Sequence, residues 1–273
     1  MSEFFIELFS EEIPANLQNK TRQDCFQNLK EFLEKEDIKY SAEATAFSIP
    51  NRLIVYFQNI SKKITKKENE IRGPNINAPE DALNGFLKSY KISIDKTYKK
   101  KTDKGEFYFF KNPSKSIETK FVLQKNLPKI LDKISWKKSM RWADHELYWG
   151  RPLKSILCCF DNKTLEFEYH HLVSSNITFI DKDFEQKTKK FFRFKDYLAF
   201  FKSQKIILDN KKRKQFIVDQ LNRMAKKENL KIHFNPTLLN EVTNIVEKPN
   251  IIKCKFNKRF LEIPDDILVT TMQ

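Results

Sequence analysis

Near its start the chain reads EFFIELF over residues 3–9, a short apolar run of strand length without helical spacing. SEEIPANLQNKTRQDCFQNLKEFLEKEDI follows, with Leu17, Phe26, Leu29 and Leu33 on one helical stripe. Ser10 stands where it could cap this helix, and Pro14 falls in the first turn, where its missing N–H does no harm. Residues 44–60, ATAFSIPNRLIVYFQNI, predict two strands joined by a Pro50-Asn51 turn. Gly73-Pro74 marks a loop and Pro79 the start of a helix. GEFYFFKN (105–112) predicts a strand after the Lys104-Gly105 turn. Residues 117–134 predict a helix interrupted before Pro128, because a proline disfavours helical backbone in the residue before it. PLKSILCCF and LEFEYHHLV predict antiparallel strands turning at Asp161-Asn162. Next come a short helix (KDYLAFFKSQ), a strand at 205–208, a helix capped by Asp209 or Asn210, a helix over PTLLNEVTNIVEK and a strand NIIKCKF. NKRFLEIPDDILVTTM closes the chain in helical or mixed structure. Helices alternate irregularly with hairpin-like strand pairs, which predicts an α+β fold of mostly antiparallel sheet. Two subdomains are expected, 1–134 and 135–273.

Composition adds limits. Hydrophobic residues at 40% and charged residues at 32% belong to a folded chain with a core, not to a disordered one. No apolar run approaches the roughly eighteen residues of a membrane span. The N-terminus MSEFFIELFSEE carries acids where a signal peptide carries bases, so a cytoplasmic protein is expected. Cys25, Cys158, Cys159 and Cys254 form no C-x-x-C pair and are expected to be buried free thiols. The net charge is 51 − 36 = +15. Arginine supplies nine of the cations and lysine 51 − 9 = 42; with abundant Asn, Ile and Phe, this is the drift of an AT-rich genome and says little about a partner.

Several chemistries are excluded. Gly73, Gly85, Gly105 and Gly150 are too far apart for a glycine-rich nucleotide cradle, and no G-x-S-x-G elbow exists. His145, His170, His171 and His233 form no H-x-x-x-H pair; His170 and His171 would face opposite sides of a strand. Acid pairs at Glu11-Glu12 and Asp265-Asp266 suit helix starts, where they complement the dipole. No metal site and no catalytic constellation is expected.

Two positive features remain. Between Lys187 and Lys231 fifteen Lys or Arg face four Asp or Glu, a local surplus of +11. Within it KKRK, residues Lys211, Lys212, Arg213 and Lys214, opens a helix: a phosphate-contacting face, or a solvated lysine face. FFRF (191–194) would stack on bases or else belong to the core, and the basic run 96–105 reads as an exposed hairpin. The scarce arginines are more telling. Arg52, Arg72, Arg141 and Arg151 sit beside turn residues or tryptophan, and all three tryptophans fall within 136–149. A guanidinium fork makes parallel bonds to phosphate or to carboxylate, so these arginines either reach an anionic partner or pin loops through ion pairs, with Glu11 or Glu12 as candidates.

Ordered motifs then bring a family into view. IELFSEEIPAN, SIPNRLIVYFQNI, EIRGP, ALNGFLKSYKIS, WKKSMRWADHELYWGRPLKSILCCF and LNEVTNIVEKPNIIKCKFNKRFLEIPDDILVTTMQ resemble, in that order, segments of the β subunit of bacterial glycyl-tRNA synthetase. The resemblance implies a heterotetramer of two α and two β subunits that joins glycine to tRNA(Gly), with ATP and Mg²⁺ used at the α subunit, which carries the active site. It implies no catalytic residue, cofactor or metal in this chain. The implied partners are the α subunit, a second β subunit and tRNA(Gly), with no membrane. Lys211, Lys212, Arg213, Lys214, Arg141 and Arg151 are the candidate tRNA contacts. Glu11, Glu12, Pro14, Arg52, Arg72, Trp142 and Pro152 are structural motif residues, and the Trp-rich stretch reads as a packing core entering a strand at Pro152. The chain departs from the family where SSNITF (174–179) replaces a G-H-R-F element and where Phe9 replaces a glycine. The family continues well past VTTMQ, so an N-terminal fragment is expected. The competing reading is a general RNA-binding or assembly module with no part in aminoacylation.

Overall fold

The computed structural model describes residues 2–66, 68–180 and 187–272. In chain order the elements are β1 (Glu3–Ser10), α1 (Ala15–Lys35), β2 (Ala44–Ile49), β3 (Arg52–Gln58), β4 (Lys63–Lys66), β5 (Asn69–Asn75) and α2 (Glu80–Tyr90). Then follow β6 (Thr97–Thr102), β7 (Gly105–Asn112), β8 (Lys115–Glu118), α3 (Thr119–Leu131), β9 (Leu153–Phe160), β10 (Lys163–Thr164), β11 (Glu168–Tyr169) and β12 (Leu172–Val173). The last are β13 (Ile177–Phe179), β14 (Thr188–Lys190), α4 (Phe194–Ser203), α5 (Asn210–Glu228), α6 (Pro236–Ile245) and α7 (Asp265–Met272). This is the α+β class.

The chain divides into two compact units. One is built from the chain up to Lys62 and from Leu123 onwards, the other from Lys63–Val122. The expected break at 134/135 falls inside the first unit, because β9 pairs with β1 from Phe4↔Phe160 to Phe9↔Ser155 in one sheet. That sheet has the order β10-β9-β1-β3-β2, antiparallel throughout. β1 lies at its centre and is covered on both faces, hence its apolar run, interrupted only by the buried Glu7. Phe4 meets Phe57, which stacks on Phe26 of α1, while Phe5 meets Phe194 and Tyr197 of α4. With a side-chain period of two, Phe5, Glu7 and Phe9 therefore share the α4 face. Asp161 and Asn162, at φ 51° and 60°, make the expected tight turn, but the strand that follows is only Lys163–Thr164. The expected strand LEFEYHHLV instead holds the β11–β12 hairpin, with His170 and His171 in its turn.

The structure departs from the local expectations at several places. Ser10 ends β1 and its hydroxyl donates to the Glu11 carbonyl at 2.8 Å, so α1 starts behind Pro14 without a side-chain cap. α3 runs unbroken through Pro128. A proline removes one helical bond, and burial of Leu123, Leu127, Ile130 and Leu131 offsets the loss of about 3 kcal/mol. Residues 205–208 form no strand; Ile206 and Leu208 instead pack on the core, and Ile207 N–H bonds the Glu247 carbonyl at 2.9 Å. Residues 250–256 also form no strand, with Ile252 and Phe256 exposed. Asp209, not Asn210, caps α5, accepting from the N–H of Lys211 and Lys212 at 2.9 and 3.2 Å.

Cys25, Cys158 and Cys159 are buried as expected. Desolvation pushes the Cys25 and Cys159 thiols up to about 12 and Cys158 well above its usual range. Cys254 is exposed, contrary to expectation. In the second unit β6 and β7 form the anticipated hairpin, β5 joins them, and Phe86, Tyr90 and Phe110 cluster under α2. Gly73 lies so close to Phe86 that a Cβ would stand 2.7 Å from its ring. Among the described residues no helix is long and apolar enough to cross a membrane.

Candidate nucleic-acid interface

The tryptophan-rich stretch closes on itself. Met140 and Trp149 exchange backbone hydrogen bonds at 2.8 and 3.1 Å. Trp149 is buried, and Trp136 packs on it with ring centroids 5.0 Å apart. Gly150 leaves room for that ring: a Cβ there would stand 2.2 Å from it. Pro152 then leads into β9. This part is the expected packing core. Its neighbours are tied by backbone bonds from Ser10 to the Asn51 carbonyl and from Glu11 to the Pro152 carbonyl, both 2.9 Å, and from Ile13 to the Pro50 carbonyl, 2.6 Å. Three separate motifs, SEEIP, IPNR and GRP, thus meet at one place.

Two clefts flank this meeting point. One, of about 630 Å³, is lined by Glu11, Glu12, Asn51, Arg151, Pro152 and Lys154 among others. The other, of about 330 Å³, is lined by Pro14, Lys137, Lys138 and Gly150. Met140 and Arg151 belong to both walls. Lys154 is neutralised by Glu11 at 2.5 Å. Arg151 is exposed; its Nη1 lies 3.8 Å from the Met140 sulfur, and among the described residues it has no carboxylate partner. Lys137, Lys138 and Arg141 are also exposed. The arrangement presents a planar cation with lysines beside it, ready for an anion.

The other arginines are used internally. Arg52 is buried and meets Glu7 Oε2 at 3.0 Å, so Glu7 and not Glu11 or Glu12 is its partner. It also donates to Thr178 Oγ1 at 2.7 Å and to the Phe179 carbonyl at 2.5 Å, and its guanidinium lies 4.4 Å from the Phe9 ring. Thr178 and Tyr197 donate their hydroxyls to Glu7. Burial, and then the Glu7 charge, hold the Tyr197 hydroxyl well above its usual range. Sequence reasoning did not single out Glu7, although a lone carboxylate in a run as apolar as EFFIELF signals a buried pair. Arg72 lies in the other unit, stacked 3.8 Å over Phe107.

Arg213 is removed from the candidate tRNA contacts. It is fully buried and donates to the carbonyls of Thr243 (2.7 Å), Ile207 (2.5 Å), Leu208 (3.2 Å) and Ser48 (2.9 Å). Burial, and then Arg22 nearby, bring its pKa down to about 10. Lys214 is half-buried and bonds Asn240 at 2.7 Å, which leaves Lys211 and Lys212 exposed on the first turn of α5. FFRF belongs half to the core: Phe191 and Phe194 are buried, while Phe192 and Arg193 are exposed, the latter forked onto Asp196 at 2.7 and 3.0 Å. Trp142 is half-buried, edge-on to His145 and His171.

With this geometry in place, the comparisons are specific. The family described as "Glycyl-tRNA synthetase beta subunit" matches residues 4–273. A glycine–tRNA ligase beta subunit of Rickettsia prowazekii (strain Madrid E) is 35% identical over 274 residues, covering 100% of this chain and 41% of that protein. Those of Rickettsia felis (34% over 275 residues) and Rickettsia typhi (35% over 273 residues) match with the same coverage. The chain thus spans about two fifths, 41%, of the length of these relatives.

Proposed function

This chain belongs to the glycyl-tRNA synthetase β-subunit family, and from that premise we propose that it is a tRNA-handling and scaffold part of a glycine–tRNA ligase. The ligase is a heterotetramer of two α and two β subunits; ATP activates glycine at the α subunit, and this chain helps hold tRNA(Gly). The widely separated glycines at 73, 85, 105 and 150 support a chain that leaves nucleotide chemistry to its partner.

One observation carries the reading. Arg151 stands exposed between two clefts, beside Lys137 and Lys138 and without a carboxylate, where the SEEIP, IPNR and GRP segments converge. The buried Arg52 and Arg213 spend their Nη donors on Glu7, Thr178 and backbone carbonyls, whereas the contact given for Arg151 is with the Met140 sulfur. A guanidinium so placed fits a phosphate of the RNA backbone, which positions a nucleic acid without reading its sequence.

The test separates tRNA handling from chemistry. In the assembled ligase, Arg151→Glu should raise KM for tRNA(Gly) by about tenfold, the equivalent of roughly 1.4 kcal/mol of lost binding. Glycine-dependent exchange between ATP and diphosphate, which needs no tRNA, should not change. A fall in exchange that matches the fall in aminoacylation would overturn the proposal, as would an unaltered KM.

A further inference from the structure

We infer that the loop Arg141–Tyr148, together with the tip of the β11–β12 hairpin, is a stacking platform for an unpaired nucleobase of RNA. The inference rests on the tRNA-handling reading and narrows it to a single-stranded nucleotide.

The loop RWADHELY is closed at its base by the Met140–Trp149 backbone pair. Arg141 and Tyr148 are the next positions outward on its two strands, and both are exposed, Tyr148 to 63%. The chain bends at Ala143, which takes φ 45°, a left-handed conformation that a residue with a Cβ adopts at some cost. The bend brings the loop's rings against the neighbouring hairpin. His145 lies parallel to His171, with centroids 3.6 Å apart and an interplanar angle of 3°. Trp142 meets both rings edge-on, at 6.3 and 5.6 Å.

A parallel ring spacing of 3.6 Å is close to the roughly 3.4 Å between successive bases of a nucleic-acid strand. His171 is exposed, so a third planar ring can extend the stack. Burial, then His145 and His170, hold the His171 imidazole below its ordinary 6.5, so it is a neutral π surface at physiological pH. Charge also favours a base over the phosphate chain at this point. Asp144 and Glu146, both exposed on the loop, repel phosphates but accept hydrogen bonds from the exocyclic amino groups of bases. Arg141 at the foot of the loop supplies the phosphate contact. Aromatic rings beside a cation are how proteins hold unpaired nucleotides.

The experiment uses the assembled ligase, wild type and the variants Tyr148→Ala, His171→Ala, His171→Phe and Arg151→Glu. Binding is followed for tRNA(Gly), for a short single-stranded RNA containing 2-aminopurine, and for a duplex RNA of the same length. The single strand should bind more tightly than the duplex, with its 2-aminopurine fluorescence changed by stacking. Tyr148→Ala and His171→Ala should each weaken it about tenfold without altering the salt dependence. His171→Phe should restore the stack, which a merely unfolded variant could not do. Arg151→Glu should flatten the salt dependence and keep the fluorescence change. If Tyr148→Ala and His171→Ala bind the single strand as wild type does while tRNA(Gly) still binds, the platform is overturned and the tRNA-handling reading stands. The platform is equally overturned if it takes a protein side chain instead of a base. If the wild-type ligase binds tRNA(Gly) with no contribution from Arg151, the broader reading fails first.

Discussion

Arg213 has a cation on either side of it, and the fold treats it differently from both. Lys212 is solvated; Arg213 is sealed beneath α5, with its fork joining four carbonyls from β2, α6 and the segment before α5. Removing the fork orphans those carbonyls in a dry interior. Arg213→Met should therefore lower stability by about 3 kcal/mol or more, read from the urea midpoint, while the folded variant keeps its affinity for tRNA. Counting charge could not separate Arg213 from its neighbours, because burial is decided by what packs above the helix. A signal was nevertheless present: Arg213 lies four residues before Ile217, on the one buried stripe of α5. Arg52 was legible as structural because it follows a Pro-Asn turn into a strand, but its partner Glu7 lies 45 positions away, and only the β1–β3 pairing brings the two together.

At the scale of elements, the pattern of apolar residues found the central strands, α1, α4, α5 and the β9–β10 turn, because each has a face to bury. It failed where tertiary burial outweighed a local rule, as at Pro128, and where an apolar run found no strand to pair with, as at 205–208 and 250–256. The loop 141–148 shows a further limit. Its aromatic content was visible, but the contact of His145 with His171 joins two hairpins and depends on the Ala143 bend. That contact should respond to pH. The His171 value is lowered in the folded chain below its ordinary 6.5 by burial and by His145 and His170, while His170 itself lies 3.8 Å from Asp132. The unfolded chain thus takes up its proton first. The stabilising contribution of the neutral ring is present above about pH 6.5 and is lost as pH falls through the lowered folded value. Urea midpoints measured between pH 7.5 and 5.5 should decline for the wild type and decline less for His171→Phe. An identical decline in both would show that the stack carries none of the pH response.

At the scale of the whole molecule, the net charge of +15 is weak evidence alone, since lysines accumulate for reasons unrelated to binding. The structure sharpens it by sorting cations into those committed to the fold (Arg52, Arg213, Arg193 and Lys154) and those left open (Arg141, Arg151, Lys211 and Lys212). Cations left open in this way, Lys137 and Lys138 beside Arg151 among them, are the ones placed to displace counterions from a bound RNA. The most direct test is the affinity for tRNA(Gly) across stepped salt concentrations, for wild type and for Arg151→Glu. Log K should fall linearly with log salt, and the variant should lose about one unit of slope. An affinity indifferent to salt, or a variant with the wild-type slope, would contradict the assignment of this chain to holding tRNA.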